Sequence, residues 1–141
     1  MKEISNEWLK SAKSDLDTIE AILDNQSLTQ IVAFHAQQCI EKCLKAIIEE
    51  HELPAGKIHN LITLKSIVSK VINFDFDEDL LGLLNTLYVD SRYPGNLGLM
   101  PNGKPTLKDA KEFDALAIKV YKEVRAFLLR LRSPTSEVLP L

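Results

Sequence analysis

Residues 34–48, Phe-His-Ala-Gln-Gln-Cys-Ile-Glu-Lys-Cys-Leu-Lys-Ala-Ile-Ile, restrict the fold more than any other stretch of the chain. Placed at about 100° per residue on a helix, Val32, Ala33, Ala36, Cys39, Ile40, Cys43, Leu44, Ala46, Ile47 and Ile48 share one arc of roughly 200°. His35, Gln38, Glu41, Lys42, Lys45 and Glu49 form the opposite stripe, and Gln37 alone strays into the apolar arc. A helix apolar over so much of its circumference must touch several neighbours at once. It is expected to be the central post of a bundle, with the polar stripe either solvated or forming one wall of a site.

The rest of the chain supplies helices to pack on that post. Ile4, Trp8, Ala12, Leu16, Ile19 and Leu23 recur at helical spacing and predict a helix over 3–24, with Lys10, Lys13, Asp15, Asp17 and Glu20 on its other side. The turn composition of Asp24-Asn25-Gln26-Ser27 ends it. The central helix is predicted over 28–52 and stopped by Pro54-Ala55-Gly56. A third helix is expected over 59–72, with His59 or Asn60 at its start. A fourth spans 77–90, preceded by a capping-box spacing at Asp75 and Glu78. Thr106 with Asp109 predicts the cap of a fifth, which Leu107, Ala110, Phe113, Ala117, Val120, Val124, Phe127 and Leu131 carry to about 132. The expected fold is all-α, an up-and-down bundle of about five helices. Residues 1–132 form one domain, and 133–141 a loose tail.

Composition excludes some function classes. The net charge of −3 gives no global field toward nucleic acid or an anionic membrane. The first residues lack the pattern of a signal peptide, and no apolar run approaches a membrane span, so the expected location is cytoplasmic. Cys39 and Cys43 fall on the apolar arc and read as buried, reduced thiols. With His35 they make His-x3-Cys-x3-Cys, short of a fourth ligand, so neither a metal nor another cofactor is expected.

From Ser91 to Pro105 the chain changes character: three of its five Gly and three of its six Pro crowd into this stretch. A loop this long between helices is usually functional or mobile. Arg92 at its start has the chemistry to grip a phosphate with two N–H groups, and Tyr93 to stack on a base. The plainer alternative ties Arg92 to a helix end and packs Tyr93. Lys42 and Lys45, with Gln38 and Glu41, either line an anion site shared with Arg92 or form a wet stripe with a Glu41–Lys45 pair. His59 is either structural or a phosphate or base contact. Gly95-Asn96-Leu97-Gly98 has the spacing of a phosphate-clamping turn, a weak signal without its usual context. Trp8 and Tyr88 read as core aromatics with a polar tip at the surface.

Phe34-His35-Ala36-Gln37-Gln38 with Glu41-Lys42 and Leu44-Lys45-Ala46 resembles the second helix of the HEPN domain family. Ile58-His59-Asn60-Leu61 with Leu64, and Tyr88 followed by Ser91-Arg92-Tyr93-Pro94, fit the same family in the same order. The chain is similar to small stand-alone prokaryotic members made beside a minimal nucleotidyltransferase. The resemblance implies a homodimer, a nucleotidyltransferase partner in a toxin–antitoxin or stress-response pair, and a functional cleft at Arg92. HEPN ribonucleases carry Arg, four to six residues, then His; here no His follows His59. The chain thus looks like a non-catalytic module in which Arg92, Tyr93, Lys42, Lys45 and His59 bind a nucleotide or nucleic-acid phosphate. The alternatives are a ribonuclease toxin with a rearranged site using Arg92 and His59, and a ligand-free protein–protein adaptor.

Overall fold

Every residue of the predicted apolar arc is buried, from Val32 to Ile48. The computed structural model describes residues 1–90 and 103–132. Its helices are α1 (Glu3–Ile22), α2 (Thr29–Glu50), α3 (Leu61–Val68), α4 (Glu78–Asp90) and α5 (Leu107–Arg132), with a 3₁₀ turn at Gln26–Leu28 between the first two. α2 packs against all four other helices, whereas α1 pairs otherwise with α5 and α3 with α4. Ala33, Ala36, Cys39, Cys43 and Ala46 let neighbouring backbones approach α2 closely, and Ile40, Leu44 and Ile47 fill the space between. The tail at 133–141 and the segment containing Arg92, Tyr93 and the Gly95–Gly98 motif lie outside the described residues. No helix among the described residues is long and apolar enough to cross a membrane.

α1 runs antiparallel to α2. The Lys2 backbone N–H donates to Glu50 Oε1 at 2.8 Å, and Lys2 Nζ reaches the Glu49 carbonyl at 3.2 Å, so a cation sits at the negative end of α2. α5 runs parallel to α2. Thr29 Oγ1 donates to the Pro105 carbonyl at 2.6 Å at one end, and His51 stacks on Phe127 at the other, with ring centroids 5.8 Å apart.

The inward face of α1 differs from the predicted stripe. Ser5, Leu9, Ala12, Asp15 and Ile19 are buried, while Ile4 is exposed. The helix is turned by about one residue because it must meet both α2 and α5. That rotation carries Asp15, expected on the polar side, into the interior. In α4, Leu81, Leu84 and Leu87 are buried, and Leu80 and Leu83 are only partly so.

The ends of the elements are set by local chemistry. Asn60, not His59, caps α3; its Oδ1 accepts from the backbone N–H groups of Ile62 and Thr63 at 3.0 and 3.1 Å. α3 stops at Val68, short of the predicted 72, because Lys70 and Val71 bond back three residues in tight turns. Asp77 rather than Asp75 caps α4, its Oδ1 accepting from Leu80 N–H at 3.0 Å. Thr106 and Asp109 form the predicted reciprocal box at the start of α5, at 2.8 and 3.0 Å.

α2 ends before the predicted Pro-Ala-Gly stop. Leu53 N–H donates to the Ile48 carbonyl at 2.9 Å and Glu52 N–H to the Glu49 carbonyl at 3.3 Å. This is the Schellman pattern, with Glu52 left-handed at φ 51°. A residue with a Cβ is strained there. Glu52→Gly should therefore raise the unfolding free energy by about 0.5–1 kcal/mol in chemical denaturation, relief of strain outweighing the added freedom of the unfolded chain.

Candidate functional site

The stripe on α2 is half-covered rather than wet: Glu41 is buried, His35, Gln38, Lys42 and Lys45 are half-buried, and Glu49 alone is exposed. Glu41, expected among solvated groups, has a side chain only 7% exposed, and Lys45 Nζ pairs with its Oε2 at 2.7 Å while itself 16% exposed. The i,i+4 spacing read from the sequence is right; its environment is not, because α1 and the segment before α3 close over this face. His59 Nδ1 also lies against Glu41 Oε2 at 2.9 Å. Gln37, the polar residue inside the apolar arc, donates through Nε2 to Glu41 Oε1 at 3.1 Å. Gln38 donates to Gln37 Oε1 at 2.7 Å. One carboxylate thus gathers a lysine, a histidine and a carboxamide. A carboxylate on Nδ1 favours the proton there, which places the basic lone pair of the imidazole on Nε2.

A second buried carboxylate repeats the arrangement one level along the bundle. Asp15 of α1 is 9% exposed in its side chain and takes Lys42 Nζ at 2.8 Å through Oδ2. Its Oδ1 lies 2.8 Å from His35 Nδ1. Phe34 presents an edge-on contact to the His35 ring at 5.3 Å. Each acid leaves water only because two basic side chains follow it.

Lys45 and His59 meet again at an open cavity of about 270 Å³ between α1, α2 and the segment leading to α3. Trp8, Lys57 and Gly56 line the same space. Lys45 Nζ lies 5.5 Å from the centre of the Trp8 ring, a cation–π contact that fixes the ammonium beside Glu41. The Trp8 indole N–H is shielded from solvent and has no acceptor among the described residues, contrary to the surface polar tip expected for it. Gly56 takes φ +65°, a left-handed turn that brings Lys57 to the rim.

Two of the five predicted binding residues therefore line one cavity: Lys45 and His59. Lys42 does not line it and is held by Asp15 instead. Arg92 and Tyr93 lie outside the described residues, as does the side chain of Tyr88. The sequence reading missed Lys57 and Asp15. Lys57 follows a loop glycine and has no periodic partner that could have pointed to it. Asp15 is flanked by Ala12 and Ile19 at helical spacing, a signal that was present.

Cys39 and Cys43 are fully buried and free, as the apolar arc required. Burial, reinforced by neighbouring Cys39, pushes the Cys43 thiol well above its ordinary value, so it stays protonated. Among the described residues no group of His, Cys, Asp and Glu has the arrangement to hold a metal.

Comparison with known proteins agrees with the helical fold. The family model described as the HEPN domain matches residues 5–129. A solved structure described as the crystal structure of an archaeal HEPN homologue superposes with a TM-score of 0.63. It is 25% identical, and the match covers 89% of this chain and 98% of that one. No curated protein sequence matches.

Removing one member of a buried ion cluster strands the others. Glu41→Ala is expected to lower stability by about 2–4 kcal/mol in denaturant titration, since Lys45 and Gln37 lose their partner. Asp17→Ala, which removes an exposed ion pair with Lys13, should leave the midpoint essentially unchanged.

Proposed function

Since the chain belongs to the HEPN domain family, we propose that it is a non-catalytic module binding the phosphate of a nucleotide or nucleic acid. The observation that carries this reading is the convergence of Lys45, Lys57 and His59 on one open cavity walled by Trp8. Lys45 is preorganised by Glu41 and the indole face, so little side-chain freedom is lost when it meets an anion. Lys57 is exposed at the rim and supplies the more adaptable charge. Lys42 serves in this reading as the counter-charge of Asp15. Arg92 and Tyr93 enter it from the sequence alone. The partner is a small nucleotidyltransferase, on the strength of the resemblance carried by the Phe34–Ala46 and Ile58–Leu64 segments, and the pair acts as a toxin–antitoxin or stress-response module.

A second reading, a ribonuclease with a rearranged site, draws on the Glu41–His59 pair. A carboxylate that orients an imidazole through Nδ1 is a common arrangement for proton transfer. It requires RNA cleavage by the pure protein that disappears in His59→Ala.

Trp8 is the single tryptophan of the chain and stands in the cavity wall, so its fluorescence reports occupancy directly. Titration with a nucleoside triphosphate should change that fluorescence saturably. Lys57→Ala should then weaken binding roughly tenfold, the loss of one charge-assisted phosphate contact. No saturable change with either a nucleoside triphosphate or a short single-stranded RNA would rule the cavity out as a phosphate site. Purification from the native host should recover a nucleotidyltransferase in stoichiometric amount; recovery of the protein alone would remove the partner from the proposal.

A further inference from the structure

α1 and α5 lie antiparallel on α2 and leave a groove between them. The groove holds a cavity of about 530 Å³, the size of a small-molecule pocket. Leu16 of α1 and Ile118 of α5 form the middle of its floor, with Leu23 toward one end and Tyr121 toward the other.

The two ends differ in charge. At one end Glu20 and Asp114 come close enough to interact: burial pushes the Asp114 carboxyl above its ordinary value, and the charge of Glu20 adds to the shift. Neither has a cationic partner among the described residues, whereas Asp17 pairs with Lys13 and Asp24 is approached by Lys111 at 3.9 Å. α1 also ends here without a basic residue in its last turn, so its free carbonyls add to the negative potential. The other end carries Lys13 and Lys122. They stand seven residues from Glu20 and eight from Asp114 along their own helices. That separation is about two turns, roughly 10–12 Å.

We propose that this cavity binds a small amphipathic amine, with its ammonium between Glu20 and Asp114 and its apolar body along Leu16 and Ile118 toward Tyr121. Charge complementarity selects the class. A cation relieves the repulsion between two carboxylates that the chain leaves without a counter-charge, and a charge-assisted hydrogen bond to each holds it there. The apolar floor takes the chain that follows. The lysines at the far end admit one cationic head and disfavour a second, so a monoamine fits and a diamine of the same length does not. The inference is independent of the phosphate-binding reading: the ligand has the opposite charge, and the Trp8 cavity shares no lining residue with this one.

Calorimetric titration of the full chain at fixed ionic strength tests it, with hexylamine as the probe. Hexylamine should bind saturably. Hexan-1-ol, with the same body and no charge, should bind at least about tenfold more weakly. 1,6-Diaminohexane should also bind more weakly than hexylamine. Glu20→Gln and Asp114→Asn should each weaken hexylamine about tenfold, the loss of one charge-assisted contact. Asp114→Asn removes a charge that the fold disfavours, so its melting midpoint by circular dichroism should not fall and lost binding cannot come from unfolding. Lys122→Glu should reverse the preference and favour the diamine. The absence of saturable hexylamine binding would overturn the proposal, as would equal affinity for hexan-1-ol or indifference to both carboxylate changes. Hexylamine binding that vanishes as the protein is concentrated would overturn it by assigning the groove to a second copy of the chain.

Discussion

A carboxylate removed from water must find its counter-charges inside the fold. In this bundle two of them do so, side by side, on the face where α1 meets α2. Asp15 holds Lys42 and His35; Glu41 holds Lys45, His59 and Gln37. Buried ion clusters of this kind add little net stability over an apolar contact of the same shape. What they impose is register. Asp15 meets its two partners only at one rotation of α1, and Glu41 reaches His59 only if the segment before α3 crosses α2 at one level. The same rotation leaves Ile4 in solvent and buries Ser5 and Leu9.

The remainder of the structure follows from keeping α2 in the middle. Small side chains on α2 admit the other helices closely, and the apolar residues of α5 from Ala110 to Leu128 pack on them. The ends of α2 are fixed to other elements: Thr29 to Pro105, His51 to Phe127, and the last carbonyls to Lys2. Those ties leave the Trp8 cavity at one end of the polar stripe and the α1–α5 groove on a different side of the bundle.

Much of this was legible in the chain because it rests on local periodicity. The apolar arc of α2, the Thr106–Asp109 box and the burial of both cysteines follow from spacings of three and four residues and need no tertiary information. The HEPN membership was visible in short motifs whose order and separation along the chain fit the family. The cap left open before α3 and the one misplaced before α4 share a cause of the opposite kind. Asp75 and Asp77, or His59 and Asn60, are equally plausible by residue type, and the choice depends on where the incoming chain lies.

The sequence by itself determined the element count, the central post and the all-α class, since each is a statement about one helix and the period of its apolar residues. Tertiary structure alone decided which polar residues leave water. Glu41 and Lys45 look like an exposed pair on any single helix, and Asp15 like one charge among several on the outer side of α1. Whether a charge is solvated depends on what a second helix covers. That covering joined Lys45 and His59 at one cavity, separated Lys42 from them, and brought in Lys57 and Trp8 from segments with no sequence relation to α2.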